Sequence, residues 1–225
     1  MPSRSTPLTI PLAEGATTSG LLHVPANVRA CYVFAHGAGA GMNHAFMAAM
    51  ADGLARRGIA TLRFQFPYME HGSKRPDAPA VARAAVRAAV DEAARQLPGL
   101  PLFAGGKSYG GRMTSQAQAA QPLPGVRGIV FVGFPLHPAG KPSVERAKHL
   151  ADVALPMLFL QGTRDELADL ELIRQTTATL GDRATLHIAD GADHSFHVLV
   201  RSGRTDAQAR EELLDTMARW IDGLT

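Results

Sequence analysis

Cysteine is nearly absent. The one thiol in 225 residues, Cys31, has no partner within the chain, which excludes a disulfide framework. Its place in the apolar run ACYVFA predicts a buried, unreactive side chain. Long hydrophobic runs are missing too. The longest are about strand length, short of the ~20 residues that a membrane helix needs, so no membrane partner is expected. Nor is there a tract of one charge: Lys and Arg total 23 against 20 Asp and Glu, a net +3. The basic residues stand singly or in pairs such as Arg56-Arg57 and Lys74-Arg75, which predicts no nucleic-acid partner. The opening MPSRSTPLTIPL lacks an apolar stretch ahead of a small-residue cleavage site, so no secretory leader is expected and the cytoplasm is the predicted compartment. No metal or cofactor is expected. The remaining composition, 46% hydrophobic and 19% charged, predicts one globular domain over residues 1–225 acting on a small molecule, with oligomeric state left open.

What is there is a regular alternation. Short runs rich in Val, Ile, Leu and Phe take turns with longer segments of helical period, the pattern of an α/β protein with a buried, mostly parallel sheet. LTIPL, GLLHVP and RACYVFAHG follow each other with only turn-like segments between, so antiparallel pairing is expected to open the sheet. IATLRFQFP, LPLFAGG, GVRGIVFVGFP, LPMLFLQG and ATLHIAD complete about eight strands. The helical segments carry apolar stripes: Phe46, Met50 and Leu54 after an expected N-cap at Asn43; Val86, Val90, Ala93 and Leu97; and Leu213, Leu214, Met217, Trp220 and Ile221.

One stretch, PLFAGGKSYGGR at residues 101–112, has two readings. Gly106-Lys107-Ser108 resembles the end of a phosphate-binding loop, G-x-x-x-x-G-K-[ST]. The first glycine of that motif would fall at Pro101, which offers no N–H to a phosphate, so the nucleotide reading fails. As G-x-S-x-G, the stretch is a strand running into a tight turn and a helix, with Gly106 and Gly110 giving room for a serine in a strained conformation. Ser108 is then a nucleophile, and Lys107 is expected to be a bystander.

A serine hydroxyl needs a base, and the base an orienting carboxylate. Asp165 follows the strand LPMLFLQG and His194 lies in the loop after ATLHIAD, in the order Ser, Asp, His that such a site demands. Glu166, Asp169 and His197 are weaker rivals, and Asp169 is better suited to cap a helix. The oxyanion requires two donors. Tyr109 supplies one backbone N–H, and the glycine-rich loop AHGAGAGMNH supplies the other from Ala38, with Gly39 as the alternative. Met42, His44, Tyr68, Leu136, His137 and Phe196 sit on loops at the same end and are expected to line the substrate site. His36 is expected to be structural, and Arg112 to form a structural ion pair. Fewer than twenty residues separate GFPLHP from LPMLFLQG, too few for a lid domain.

Taken in order, HGAGAGMNHAFM, LRFQFPY, GGKSYGGRM, GFPLHPAGKPSVERAKHL, PMLFLQGTRDEL and GADHSFHV resemble the small α/β-hydrolases of the dienelactone-hydrolase-like clan. The closest likeness is to the bacterial group related to testis-expressed protein 30 and to the hydrolase-like domain of a chromatin acetyltransferase-complex subunit. The resemblance covers nearly the whole chain. It implies an α/β-hydrolase fold of about eight strands flanked by helices, and it favours Ser108, Asp165 and His194 as a triad. It implies no substrate, since dienelactone hydrolase uses a cysteine nucleophile where this chain has Ser108. The expected activity is that of a serine hydrolase, an esterase acting through an acyl-enzyme; the alternative is a hydrolase-fold binding or scaffold protein with an idle triad.

Overall fold

The apolar runs become strands at the positions expected. In the computed structural model, which describes residues 5–225, the strands are β1 (Thr6–Pro11), β2 (Thr17–His23), β3 (Ala30–Ala35), β4 (Ile59–Phe64), β5 (Leu102–Lys107), β6 (Val126–Val132), β7 (Met157–Gly162) and β8 (Ala184–Ala189). They form one sheet in the order β1-β2-β4-β3-β5-β6-β7-β8. Pairing is antiparallel for β1 with β2 and β2 with β4, and parallel from β4 to β8. β3, β4 and β7 are buried along their whole length. Their largely apolar sequences suit strands covered on both faces, and the polar Thr61, Arg63 and Gln161 are buried with them.

The opening of the sheet differs in one respect from the sequence expectation. β2 does not pair with β3, its neighbour in the chain, because β4 lies between them. The crossover from β3 returns to the edge that β5 leaves free, and the segment 24–29 carries the chain from β2 past that added strand.

Six helices cover the sheet: α1 (Ala45–Arg56), α2 (Pro67–Glu70), α3 (Pro79–Gln96), α4 (Tyr109–Ala120), α5 (Leu170–Thr179) and α6 (Asp206–Asp222). The stripes of α1 and α6, including Met50, Leu54, Leu213 and Met217, pack with Phe103 and Val130 on one face of the sheet. Those of α3, α4 and α5, including Val86, Met113 and Ile173, pack with Ala104 and Phe131 on the other. α1 begins one residue later than expected. His44, not Asn43, is its N-cap, its Nδ1 accepting from Phe46 N at 3.2 Å, since an unprotonated imidazole nitrogen satisfies a first-turn N–H as an amide oxygen would. Asp169 caps α5 as expected, accepting from Glu171 N and Leu172 N. Between β6 and β7 there is only a 3-10 helix, Glu145–Asp152, and no lid domain. Among the described residues no helix is long and apolar enough to cross a membrane. The carboxyl ends of β3, β5, β7 and β8 therefore open onto one uncovered rim, where their loops meet.

Candidate active site

The turn from β5 to α4 is strained at one residue. Ser108 has φ 51° and ψ −115°, a conformation that costs a non-glycine residue about 1–3 kcal/mol and that the surrounding structure must impose. Its neighbours explain how. A Cβ on Gly106 would lie 2.5 Å from Ala35 O, and one on Gly110 would lie 2.5 Å from Ala35 O and 2.6 Å from His36 O. Only glycine lets the turn press against β3, and that contact lifts the Ser108 side chain above the strand ends. Ser108 N donates to Val132 O at 3.2 Å, and Ser108 O accepts the first bond of α4 from Arg112 N.

Two side chains from later loops continue from this serine, His194 touching it and Asp165 touching His194. His194 Nε2 is 2.8 Å from Ser108 Oγ, and His194 Nδ1 is 2.7 Å from Asp165 Oδ2. A carboxylate only accepts, so Nδ1 carries the proton and Nε2 is left to accept from the hydroxyl. The Asp165 side chain is 1% exposed and that of His194 22%. The acid is thus held out of water while the imidazole borders the rim. Asp165 Oδ1 accepts from Leu167 N at 2.8 Å, and Oδ2 also accepts from Gln161 Nε2. Gln161, fully buried at the end of β7, accepts from Phe134 N at 3.0 Å through Oε1. Sequence reasoning passed over this glutamine. The signal was a lone polar residue closing the run MLFLQG, which burial obliges to find partners. The rivals lie elsewhere: Glu166 is exposed, Asp169 caps α5, and His197 pairs with Asp206 at 3.0 Å on the surface.

Two backbone amides near this turn were expected as donors. Tyr109 N is in the first turn of α4, where no intrahelical acceptor exists. Among the described residues the Ala38 N–H is bonded to nothing, whereas Gly39 N donates to Tyr68 Oη at 2.9 Å. Gly39 is therefore engaged and Ala38 is the open donor. The loop is braced from beneath by His36, fully buried, whose Nδ1 donates to Gly37 O at 2.7 Å while Nε2 accepts from Phe66 N at 3.1 Å. Burial pushes the His36 pKa below its ordinary value, against a smaller opposing effect of the Gly37 bond. The neutral ring required by one donated and one accepted bond is thus favoured.

A family model described as "Alpha/beta hydrolase domain" matches residues 28–222. The chain belongs to the α/β-hydrolase family. Solved structures agree on the fold. Dienelactone hydrolase from Anabaena variabilis is 20% identical, with a TM-score of 0.80 over 100% of this chain and 99% of that one. An α/β serine hydrolase without lid from Xanthomonas campestris is 23% identical, with a TM-score of 0.74 over 98% and 96%. The esterase domain of a Rhodothermus marinus protein is 16% identical, with a TM-score of 0.73 over 96% and 97%.

In this α/β-hydrolase a cleft of about 450 Å³ opens over Ser108 and His194, and Ala38, His44, Phe46, Met47 and Leu167 help to wall it. Of the six residues expected to contact substrate, His44 borders this cleft. The other five are buried and present almost no surface to a ligand: Met42, Tyr68, Leu136, His137 and Phe196. Each supports a loop instead. Met42 bonds Gln65 and Arg63 through its backbone, and Tyr68 accepts from Gly39 N. His137 bridges Pro138 O and Asp169 N, Leu136 belongs to the core, and Phe196 stacks on Phe46 at 6.1 Å. The loops pack inward because nothing covers them, so their large side chains serve as one another's cover.

Two further expectations change. Lys107 does not stand clear of the site: its Nζ donates to His194 O at 2.5 Å. Arg112 makes no ion pair among the described residues. Its Nε is buried without a hydrogen-bond partner, and burial, reinforced by the like charge of Arg146, lowers its pKa. The residue lies beside Tyr109, whose hydroxyl burial pushes up to about 12.

Proposed function

We propose that this protein hydrolyses small carboxylic esters through an acyl-enzyme on Ser108. The observation that carries the reading is the continuous hydrogen-bonded chain from Ser108 Oγ through His194 to Asp165, built on a strained turn with two amides open beside it. His194 Nε2 takes the Ser108 proton as Oγ attacks the ester carbonyl carbon. Asp165 holds the imidazole in the tautomer that leaves Nε2 free and stabilises the imidazolium that forms. The N–H groups of Ala38 and Tyr109 receive the oxyanion, a contribution of about 3–4 kcal/mol for a well-placed donor. The imidazolium then gives its proton to the departing alkoxide. A water molecule, deprotonated by the same nitrogen, attacks the acyl carbon and releases the acid and the free serine. No metal or cofactor is needed, because these side chains and amides supply the nucleophile, the base and the charge stabilisation.

Phe46, Met47 and Leu167 give the cleft an apolar wall, which suits a short acyl chain or a small ring. The absence of a lid leaves no apolar cover for a long one. The kinship proposed on the six ordered motifs extends to the group related to testis-expressed protein 30 and the acetyltransferase-complex subunit. We further infer a single domain working in the cytoplasm. The test is turnover of p-nitrophenyl esters of rising chain length. Acetate and butyrate are expected to outpace palmitate, and Ser108→Ala to lose up to ~10⁶ in kcat. Equal turnover by wild type and Ser108→Ala would refute the reading and leave the scaffold alternative.

A further inference from the structure

We infer that Lys107 is a positioning residue for His194: its ammonium clamps the His194 carbonyl and stands over the Phe196 ring, fixing the loop that aims the imidazole at Ser108. The inference rests on the serine-hydrolase reading above and adds a residue to it. Lys107 closes β5 and precedes Ser108 directly, and both side chains border the cleft. That of Lys107 crosses to the loop after β8. Nζ donates to His194 O at 2.5 Å and stands 5.5 Å from the centre of the Phe196 ring.

The surroundings are shaped around this ammonium. At Gly133 an added Cβ would lie 3.1 Å from Nζ and 3.4 Å from His194 Cε1, so glycine leaves the space that lysine and imidazole occupy. Phe196 adopts φ 62°, an unfavourable conformation for an aromatic residue that persists only where its neighbours impose it. Those neighbours are Lys107 on one side and Phe46, stacked at 6.1 Å, on the other. Asp193 N bonds His197 O, and Asp193 Oδ1 accepts from Ser195 N and His197 N. The His194 loop is thereby tied to itself, and Lys107 ties its backbone to the serine turn, beside the side-chain bond from His194 to Ser108.

Placing a cation there is costly. Burial lowers the Lys107 pKa to about 8, with Asp165 and Asp193 opposing the shift. Among the described residues no carboxylate reaches Nζ within ion-pair distance. Asp165, Asp193 and His194 are the ionisable groups that face it. A charged donor binds a carbonyl roughly twice as strongly as a neutral one. Raising the pH through about 8 removes the charge and weakens the clamp.

The experiment measures the second-order rate of Ser108 labelling by an alkyl fluorophosphonate, followed by intact-protein mass, from about pH 6 to about pH 10. Wild type and Lys107→Met are compared, with circular dichroism reporting the fold at each pH. A one-ångström misplacement of a catalytic group can cost ~10²-fold, so Lys107→Met is expected to label about 10–100-fold more slowly at neutral pH. The wild-type rate is expected to fall through an apparent pKa near 8 while the fold is unchanged, and the methionine variant to lack that break. A merely structural lysine would lower the melting temperature without producing the break. Labelling of Lys107→Met at the wild-type rate overturns the inference, as does a wild-type rate with no break across this range. If the variant does not fold, the wild-type profile decides. Complete failure of wild type to label would instead remove the hydrolase reading itself.

Discussion

The Ser108 turn and the His194 loop hold neighbouring members of one hydrogen-bonded chain, and they do so by different means. The turn is fixed by backbone against backbone: Gly106 and Gly110 touch Ala35 O and leave no room for a Cβ. The loop is fixed by side chains from distant elements: Asp165 from the end of β7, Lys107 from the end of β5, and Phe46 from α1. A backbone-made turn announces itself as a short glycine motif. A side-chain-made loop has no such local signature, because its partners are scattered along the chain. The first should fail as structure when altered, and the second as aim.

Among the residues that support the serine, the largest effect is expected at Asp165, the acid that holds the loop's imidazole. Asp165→Asn leaves an amide where two oxygens accept from His194, Gln161 and Leu167. An NH₂ group facing Nδ1 imposes the wrong tautomer, so kcat for p-nitrophenyl acetate should fall ~10⁴-fold. Next comes the turn. Gly110→Ala drives a methyl to 2.5 Å from Ala35 O and 2.6 Å from His36 O, and neither atom is the end of a flexible side chain. Denaturant unfolding should show a loss of about 3 kcal/mol, because displacing backbone in a packed core lies at the upper end of overpacking costs. A variant as stable as wild type would show that the turn has slack. The smallest effect is expected at the braced loop after β3. Tyr68→Phe removes the acceptor of the Gly39 N–H, which now donates to Tyr68 Oη. Gly39 is exposed, so water can replace the lost acceptor and only the net worth of one hydrogen bond, about 0.5–1.5 kcal/mol, is at stake. Part of that should appear as a several-fold drop in kcat with KM little changed, measured on the same ester.

The same contrast explains what the sequence disclosed. Apolar runs such as CYVFA and MLFL located the buried strands, because a strand covered on both faces has few polar positions to spare. The order of the strands was less legible: β4 enters between β2 and β3, and nothing local in GLLHVP distinguishes the two neighbours. At the site, Ser108, Asp165 and His194 were readable from their places after strands, and the structure brings the three within hydrogen-bonding distance. Lys107 was not, because its partner is the carbonyl of a residue far along the chain. Tyr68, His137 and Phe196 lie on the expected loops but face inward, and the direction of a loop side chain depends on tertiary packing. Gln161 gave a signal, a polar residue in an apolar strand, that buried polar groups always merit.

The central claim is that the chain from Asp165 to Ser108 makes this one serine an activated nucleophile. Intact-mass spectrometry after exposure to an alkyl fluorophosphonate tests it most directly. The account predicts a single adduct on the wild-type protein, mapped to Ser108 and lost in Ser108→Ala. An unlabelled wild type, or an adduct that persists in Ser108→Ala, would contradict it.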